Sequence, residues 1–224
     1  MKEKLRDFFY RYRHAWVLSY LAFYLLWFAY LEQTVTRRFH VIHMAADDYI
    51  PFLEIFVIPY FLWFAYIAVV MAYFFFKDVQ DFYKVCCFLF VGMTVFLVVS
   101  TVYPNGHYLR PRVFERDNIF TAMVQWLYAA DTPTNLFPSI HVYNSIGAHL
   151  AVSHSECLKG RKWVQRTSFV LMLSIIASTM FLKQHSVFDV ITAIVLAVVM
   201  ERFVYGSDLL GSRKRVYERQ YREI

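Results

Sequence analysis

The chain has 224 residues, 59% of them hydrophobic and 20% aromatic, with a mean hydropathy of +0.40, well above the roughly 45–50% apolar content of a soluble domain. An ordinary soluble globule is excluded. The net charge of +6 and pI near 9.2 would suggest nucleic acid in a soluble protein, but here Lys and Arg lie between apolar blocks, the pattern of cytoplasmic loops facing anionic lipid. Membrane lipids, and no nucleic acid, are the expected partners.

The N-terminal stretch carries Lys2, Lys4, Arg6, Arg11 and Arg13 ahead of an apolar block too long for a signal-peptide core, with no small-residue cleavage pattern after it. It reads as an uncleaved first span. A helix needs about 20 residues to cross a hydrocarbon core of roughly 30 Å, and six stretches qualify: Ala15–Gln33, Ile50–Phe76, Phe82–Tyr103, Pro138–Cys157, Trp163–Leu182 and Ser186–Tyr205. The expected fold is therefore an all-α, six-span membrane bundle. It forms one domain over residues 1–224, with a core of about 16–205 and a basic tail of 206–224.

Glu54, just inside the second span, is an intramembrane carboxylate that demands a partner. Anchoring Arg110, lining a headgroup pocket and forming a structural ion pair are all open to it. Cys86, Cys87 and Cys157 suggest neither a disulfide framework nor a metal spacing. The loop from Pro104 to Phe137 holds a second apolar stretch, Ile119 to Tyr128, too short to span and expected at the interface or over the site. The fourth span is the least hydrophobic. Its His141, Ser145 and His149 recur at i, i+4 and i+8, so that face should look into the bundle. Arg213 to Arg222 forms the basic tail, expected in solvent or at lipid headgroups.

Basic residues fix the expected orientation, because those near span ends bias a loop to the cytoplasm. Seventeen lie on the side of both termini and six on the other, which puts the N- and C-termini inside. The outer side then owns the long loop, the start of span four and the turn before span six.

Three clusters of chemically capable residues fall on that outer side: Arg110-Pro111-Arg112, Pro138-Ser139-Ile140-His141, and Ser178 through Asp189 with His185. A lone His-x-x-x-Asp is a weak signal, but three clusters converging on one membrane face is a stronger one. The i, i+4 spacing places Asp189 one helical turn from His185 on the same face. His14, His40, His43 and His107 read as interfacial anchors, and His149 as a satisfied bundle histidine.

At these residues the chain resembles the type 2 phosphatidic acid phosphatase and vanadium haloperoxidase superfamily, which includes lipid phosphatases and, more distantly, sphingolipid headgroup transferases. Its pattern is Lys-x6-Arg-Pro, Pro-Ser-Gly-His, and Ser-Arg-x5-His-x3-Asp. The matching residues are Arg110 and Pro111, then Pro138, Ser139 and His141, then Ser178, His185 and Asp189; the resemblance spans Trp16 to Tyr205. Tyr103 stands at the motif lysine, Ile140 at the glycine and Thr179 at the arginine.

The resemblance implies a multi-pass cell-membrane enzyme with its site on the extracytoplasmic face, acting on a lipid phosphate or diphosphate through a phosphohistidine. It implies His185 as nucleophile, Asp189 as the group that holds its ring, and His141 as general acid. Arg110, Ser139 and Ser178 would hold phosphate oxygens, with Lys183 and Arg112 as substitutes for the two missing cations. No metal or cofactor is called for. Transfer of a phospho-headgroup to a lipid hydroxyl is the alternative reaction, and a non-catalytic phospholipid binder is the rival from another class. Paired broken helices and inverted halves, the marks of a transporter, are lacking.

Overall fold

The computed structural model describes residue 6, residues 10–35 and residues 38–206. The basic tail at Arg213 to Arg222 and the first basic residues, Lys2 and Lys4, lie outside the described residues.

Among the described residues the fold is all-helical apart from one two-residue strand pair. A 3-10 segment at Arg13–Ser19 leads into α1 (Tyr20–Thr34). A short α2 (Ala45–Tyr49) precedes α3 (Val57–Lys77), α4 (Val79–Val102) and α5 (Ile119–Ala130), and α6 (Ile140–His154), α7 (Lys162–Phe181) and α8 (Val187–Val204) complete the bundle. Strands β1 (His40–Val41) and β2 (Asn105–Gly106) pair in parallel, His40 opposite Asn105.

Four stretches are long and apolar enough to cross a membrane: Arg13–Thr34, Glu54–Lys77, Val79–Val102 and Lys162–Phe181. These are the first, second, third and fifth of the six expected spans. The other two fall short for separate reasons. Helix α6 has only 15 residues, about 22 Å at 1.5 Å per residue, and the 18-residue α8 carries Asp189, Glu201 and Arg202. The expected interfacial stretch is the 12-residue α5.

The outside of the bundle is apolar, with Phe23, Leu26, Phe64, Val69, Val195 and Val199 exposed on its flanks. The polar side chains are gathered within. Helix α6 is surrounded by α3, α4, α7 and α8, which explains its composition: Asn144 and Ser145 are buried, and His149 Nδ1 meets Ser168 Oγ at 3.0 Å beside the Tyr66 hydroxyl, 2.6 Å from that oxygen. His149 is thus a satisfied bundle histidine.

Two glycines allow α4 and α6 to cross closely. A Cβ on Gly92 would lie 1.9 Å from Tyr143 Cε1, and one on Gly147 would lie 2.5 Å from Phe88 Cδ1. Tyr143 and Phe88 stack at 4.7 Å, and the Tyr143 hydroxyl donates to the Phe88 carbonyl at 2.8 Å. Helix α4 begins cleanly because the Asp78 carboxylate accepts from Gln80 N and Asp81 N at 2.9 Å, an N-cap that satisfies two otherwise orphaned donors.

Candidate active site

The turn between α7 and α8 presents His185. Helix α7 stops in a Schellman arrangement, with Lys183 N donating to Met180 O at 3.0 Å and Gln184 N to Thr179 O at 2.9 Å. The left-handed residue this motif requires is Lys183, with φ of 53°. Three residues later Ser186 caps the start of α8: its Oγ accepts from Phe188 N at 3.2 Å, while Asp189 Oδ2 accepts from Ser186 N at 2.9 Å. This capping box aims the Asp189 carboxylate back at the turn. Asp189 Oδ2 lies 3.4 Å from His185 Nδ1, with the two side chains 0% and 5% exposed.

His141 arrives from α6. Ser139 caps that helix through Val142 N at 3.4 Å, and Ser139 N reaches the Asp189 carbonyl at 3.4 Å, tying the start of α6 to α8. His141 Nδ1 then lies 3.4 Å from His185 Nε2. The His141 ring also packs against Tyr60 and Trp63 of α3, with centroids at 4.7 and 4.5 Å. Residues 44 positions apart therefore form a line: carboxylate, imidazole, imidazole.

Burial holds the His185 imidazole down to about 3, with the Arg110 charge adding to the depression and the Leu136 backbone opposing it. The ring is neutral at physiological pH, the form that carries a lone pair. Nδ1 lies 3.4 Å from Asp189 Oδ2 without a hydrogen bond, and Nε2 faces His141 Nδ1 at 3.4 Å.

Comparison with protein-family models, with curated proteins and with solved structures finds no match.

Arg110 is brought near His185, but its fork is already engaged. One terminal nitrogen donates to the Tyr128 and Asp131 carbonyls at 3.4 and 2.6 Å, and the other donates to the Thr132 carbonyl at 3.1 Å and to Gln184 Oε1. The guanidinium sits 4.6 Å from the Tyr128 ring centroid, with Asp131 Oδ2 at 3.8 Å. Only Nε, buried and without a partner, is left over. The Arg110 fork thus clamps the C-terminal end of α5, where helix carbonyls lack intrahelical donors, and leaves Nε alone for the phosphate contact expected of this residue.

The other expected phosphate ligands are similarly committed. Ser178 is 0% exposed and its hydroxyl donates to Ile175 O at 2.6 Å. Ser139 is a buried helix cap. Lys183 Nζ donates to the Asp47 carbonyl at 2.7 Å, so it fastens α2 to the His185 turn. Arg112 is exposed. Glu54 Oε1 accepts from Arg116 at 3.2 Å and Asn118 at 3.1 Å; its partner is Arg116, and Arg110 is anchored elsewhere. Tyr103, at the motif lysine position, stacks on His40 at 4.2 Å.

Several residues that sequence reasoning passed over hold the site together. Asp47, 2% exposed, accepts from Ser186 Oγ at 2.6 Å, from Val187 N at 2.7 Å and from Met44 N at 2.8 Å. It pins α2 to the start of α8. His107, expected at the interface, is 1% exposed. Its Nδ1 accepts from Leu109 N at 3.2 Å, so its Nε2 proton goes to the Gln184 carbonyl at 2.9 Å. Burial pushes it down to about 4. Asn105 Oδ1 accepts from Leu136 N and Phe137 N at 2.8 and 3.0 Å, fixing the approach to Ser139. The one sequence signal for Asp47 was an acidic pair next to an apolar span, a costly placement without partners; for His107 and Asn105 there was none.

Proposed function

We propose that the chain is an integral membrane phosphoryl-transfer enzyme of the type 2 phosphatidic acid phosphatase superfamily. It hydrolyses a lipid phosphate or diphosphate through a phosphohistidine on His185. The observation that carries this reading is the alignment of Asp189, His185 and His141, with consecutive contacts of 3.4 Å, delivered by two different helices. A binder has no use for a neutral imidazole flanked by a carboxylate and faced by a second imidazole.

In the proposed cycle His185 Nε2 attacks phosphorus and the bond to the lipid oxygen breaks. His141 delivers its proton to that oxygen, and Asp189 stabilises the cation formed on His185 through the Nδ1 proton. Water, deprotonated by His141, then attacks the phosphohistidine; phosphate leaves and His185 regains its lone pair.

In this reading α6 and α8 cross the bilayer with the four longer spans. Their short or charged stretches are tolerated because they are enclosed by neighbours. Both termini are cytoplasmic, and the site opens to the extracytoplasmic headgroup layer. An apolar groove of about 750 Å³ between α3 and α7, lined by Ile58, Pro59, Leu62, Val170 and Leu171, supports a substrate whose chain stays in the bilayer. Transfer to a lipid hydroxyl is the second reading. It is favoured by the single guanidinium at the site, since the transferase branch keeps the two histidines and the aspartate while its basic residues vary.

The test is purified protein in liposomes given a panel of lipid phosphates and diphosphates, following free phosphate and new lipid species separately. Phosphate release that falls at least about 10³-fold in His185→Ala supports hydrolysis. A new phospholipid without free phosphate moves the assignment to transfer, and neither product from any substrate sinks both.

A further inference from the structure

Two buried hydrogen-bond donors beside His185 have no partner: Arg110 Nε and Gln184 Nε2. Gln184 is 1% exposed, and its amide orientation is fixed by chemistry, because Arg110 has only donors and must face Oε1. The two N–H hydrogens of the amide are therefore turned away from Arg110 with no acceptor. A third unpartnered donor, Trp63 Nε1, belongs to the indole packed 4.5 Å from the His141 ring. Buried polar groups are nearly always paired in folded proteins. Unpartnered donors near one imidazole fit a ligand that supplies several acceptors; the buried acceptor without a partner, Asp189 Oδ1, lies on the Nδ1 side of the His185 ring.

We propose that the Gln184 amide and Arg110 Nε bind the oxygens of the transferred phosphoryl group, in place of the cations absent at Tyr103 and Thr179. This rests on the reading of His185 as the phosphoryl acceptor. A tetrahedral oxyanion presents acceptors in several directions at once, so that while His185 Nε2 meets phosphorus, one oxygen takes the amide N–H and another takes Nε–H. Arg110 contributes its charge without releasing α5, because its four terminal hydrogens stay on the Tyr128, Asp131 and Thr132 carbonyls and Gln184 Oε1. Gln184 is held in turn by its own backbone, whose carbonyl accepts from His107 and whose N–H donates to Thr179.

The test uses the full-length chain in detergent with side-chain ¹⁵N-labelled glutamine, titrated in separate arms with inorganic phosphate and with a short-chain phosphatidate. The expected result is a saturable displacement of one amide signal, assigned to Gln184 by its loss in Gln184→Glu. That variant keeps an acceptor for Arg110, and so keeps the fold, while replacing the donor with an anion; it should weaken binding at least tenfold in the same titration followed by calorimetry. Trp63→Phe, which preserves the ring against His141, should weaken binding by less. Displacement in both arms assigns the site to the phosphoryl group itself, and displacement by phosphatidate alone assigns it to a phosphoryl group held by its lipid. A Gln184 signal unmoved at saturation, or a Gln184→Glu protein that binds as tightly as the parent, overturns the proposal. Turnover measured on the same preparation judges the His185 chemistry independently.

Discussion

Tyr143 lies two positions after His141 on α6, yet the helix faces they belong to are built on opposite rules. At Tyr143 the α4–α6 seam is filled until no atom can be added, with Gly92 and Gly147 cut away to admit rings. At His141 the packing gives way to a cluster in which Arg110 Nε, Gln184 Nε2 and Asp189 Oδ1 are buried without partners. An unmade buried hydrogen bond costs on the order of 1–3 kcal/mol, so the second region spends stability that the first supplies. Other buried polar atoms without partners occur singly, at Ser100, Asn144, Ser155 and Tyr205; it is their concentration beside the histidines that marks a site of function. The contrast can be broken by giving the site the seam's properties, or the seam the site's.

The largest expected effect is on the pH dependence of the polar region. His107 is held at about 4 against an ordinary 6.5. Below pH 6.5 the unfolded chain takes up a proton that the folded chain refuses, so this residue's contribution is complete above 6.5 and is lost as pH falls toward 4. The gap corresponds to roughly 3 kcal/mol. Asp131 works the other way over part of that range: burial pushes it up to about 6 from 3.8, so its folded form is favoured as pH drops from 6 to 3.8. His107→Gln, which lacks the titration, should flatten the acid limb of the stability curve measured by thermal unfolding in detergent between pH 7 and 4. An unchanged limb would assign the acid sensitivity to other groups.

Next comes the seam. Gly92→Ala places a methyl group 1.9 Å from the Tyr143 ring, where Tyr143 is 1% exposed and also bonded to the Phe88 carbonyl. Overpacking of this kind costs about 1–3 kcal/mol. The test is a lower unfolding temperature that is partly restored when Tyr143→Leu is added, since contacting residues couple. Simple additivity of the two substitutions would mean that the helices do not meet there. The same Gly92→Ala protein should retain the spacing of His141 and His185, and with it any turnover, if seam and site are energetically separate.

How much of this was legible in the sequence follows the same division. His185 and Asp189 could be brought together because their relation is local, although not as two residues on one helix face: His185 stands in the turn before the Ser186 cap, and Asp189 reaches back to it from the first turn of α8; Pro-Ser-x-His likewise marks the start of α6, with Ser139 as its cap. The four long apolar spans were legible for the same reason. What escaped was every outcome decided by a distant partner. Nothing near Arg110 in the chain says that the carbonyls of Tyr128, Asp131 and Thr132 will claim its fork, nothing near Glu54 selects Arg116, and Asp47 acquires its role only because Ser186 and Val187 come to it across 139 and 140 residues. The glycines of the seam were likewise silent, since a glycine in an apolar helix has meaning only once the opposing ring is known.

The smallest expected effect lies at the turn that presents His185, where Lys183 does two things that oppose each other in free energy. As the left-handed residue ending α7 it carries a steric penalty of about 1 kcal/mol that glycine would not. Its ammonium donates to Asp47 O at 2.7 Å from a half-buried position, a bond worth about 0.5–1.5 kcal/mol. Lys183→Gly removes both and also loosens the unfolded chain, so its stability should stay within about 1 kcal/mol of the parent. Lys183→Ala loses the bond, keeps the strained turn and should be the less stable of the pair. If thermal unfolding shows the alanine protein equal to the glycine one, the turn is not strained by its side chain, and the lysine is there for Asp47 alone.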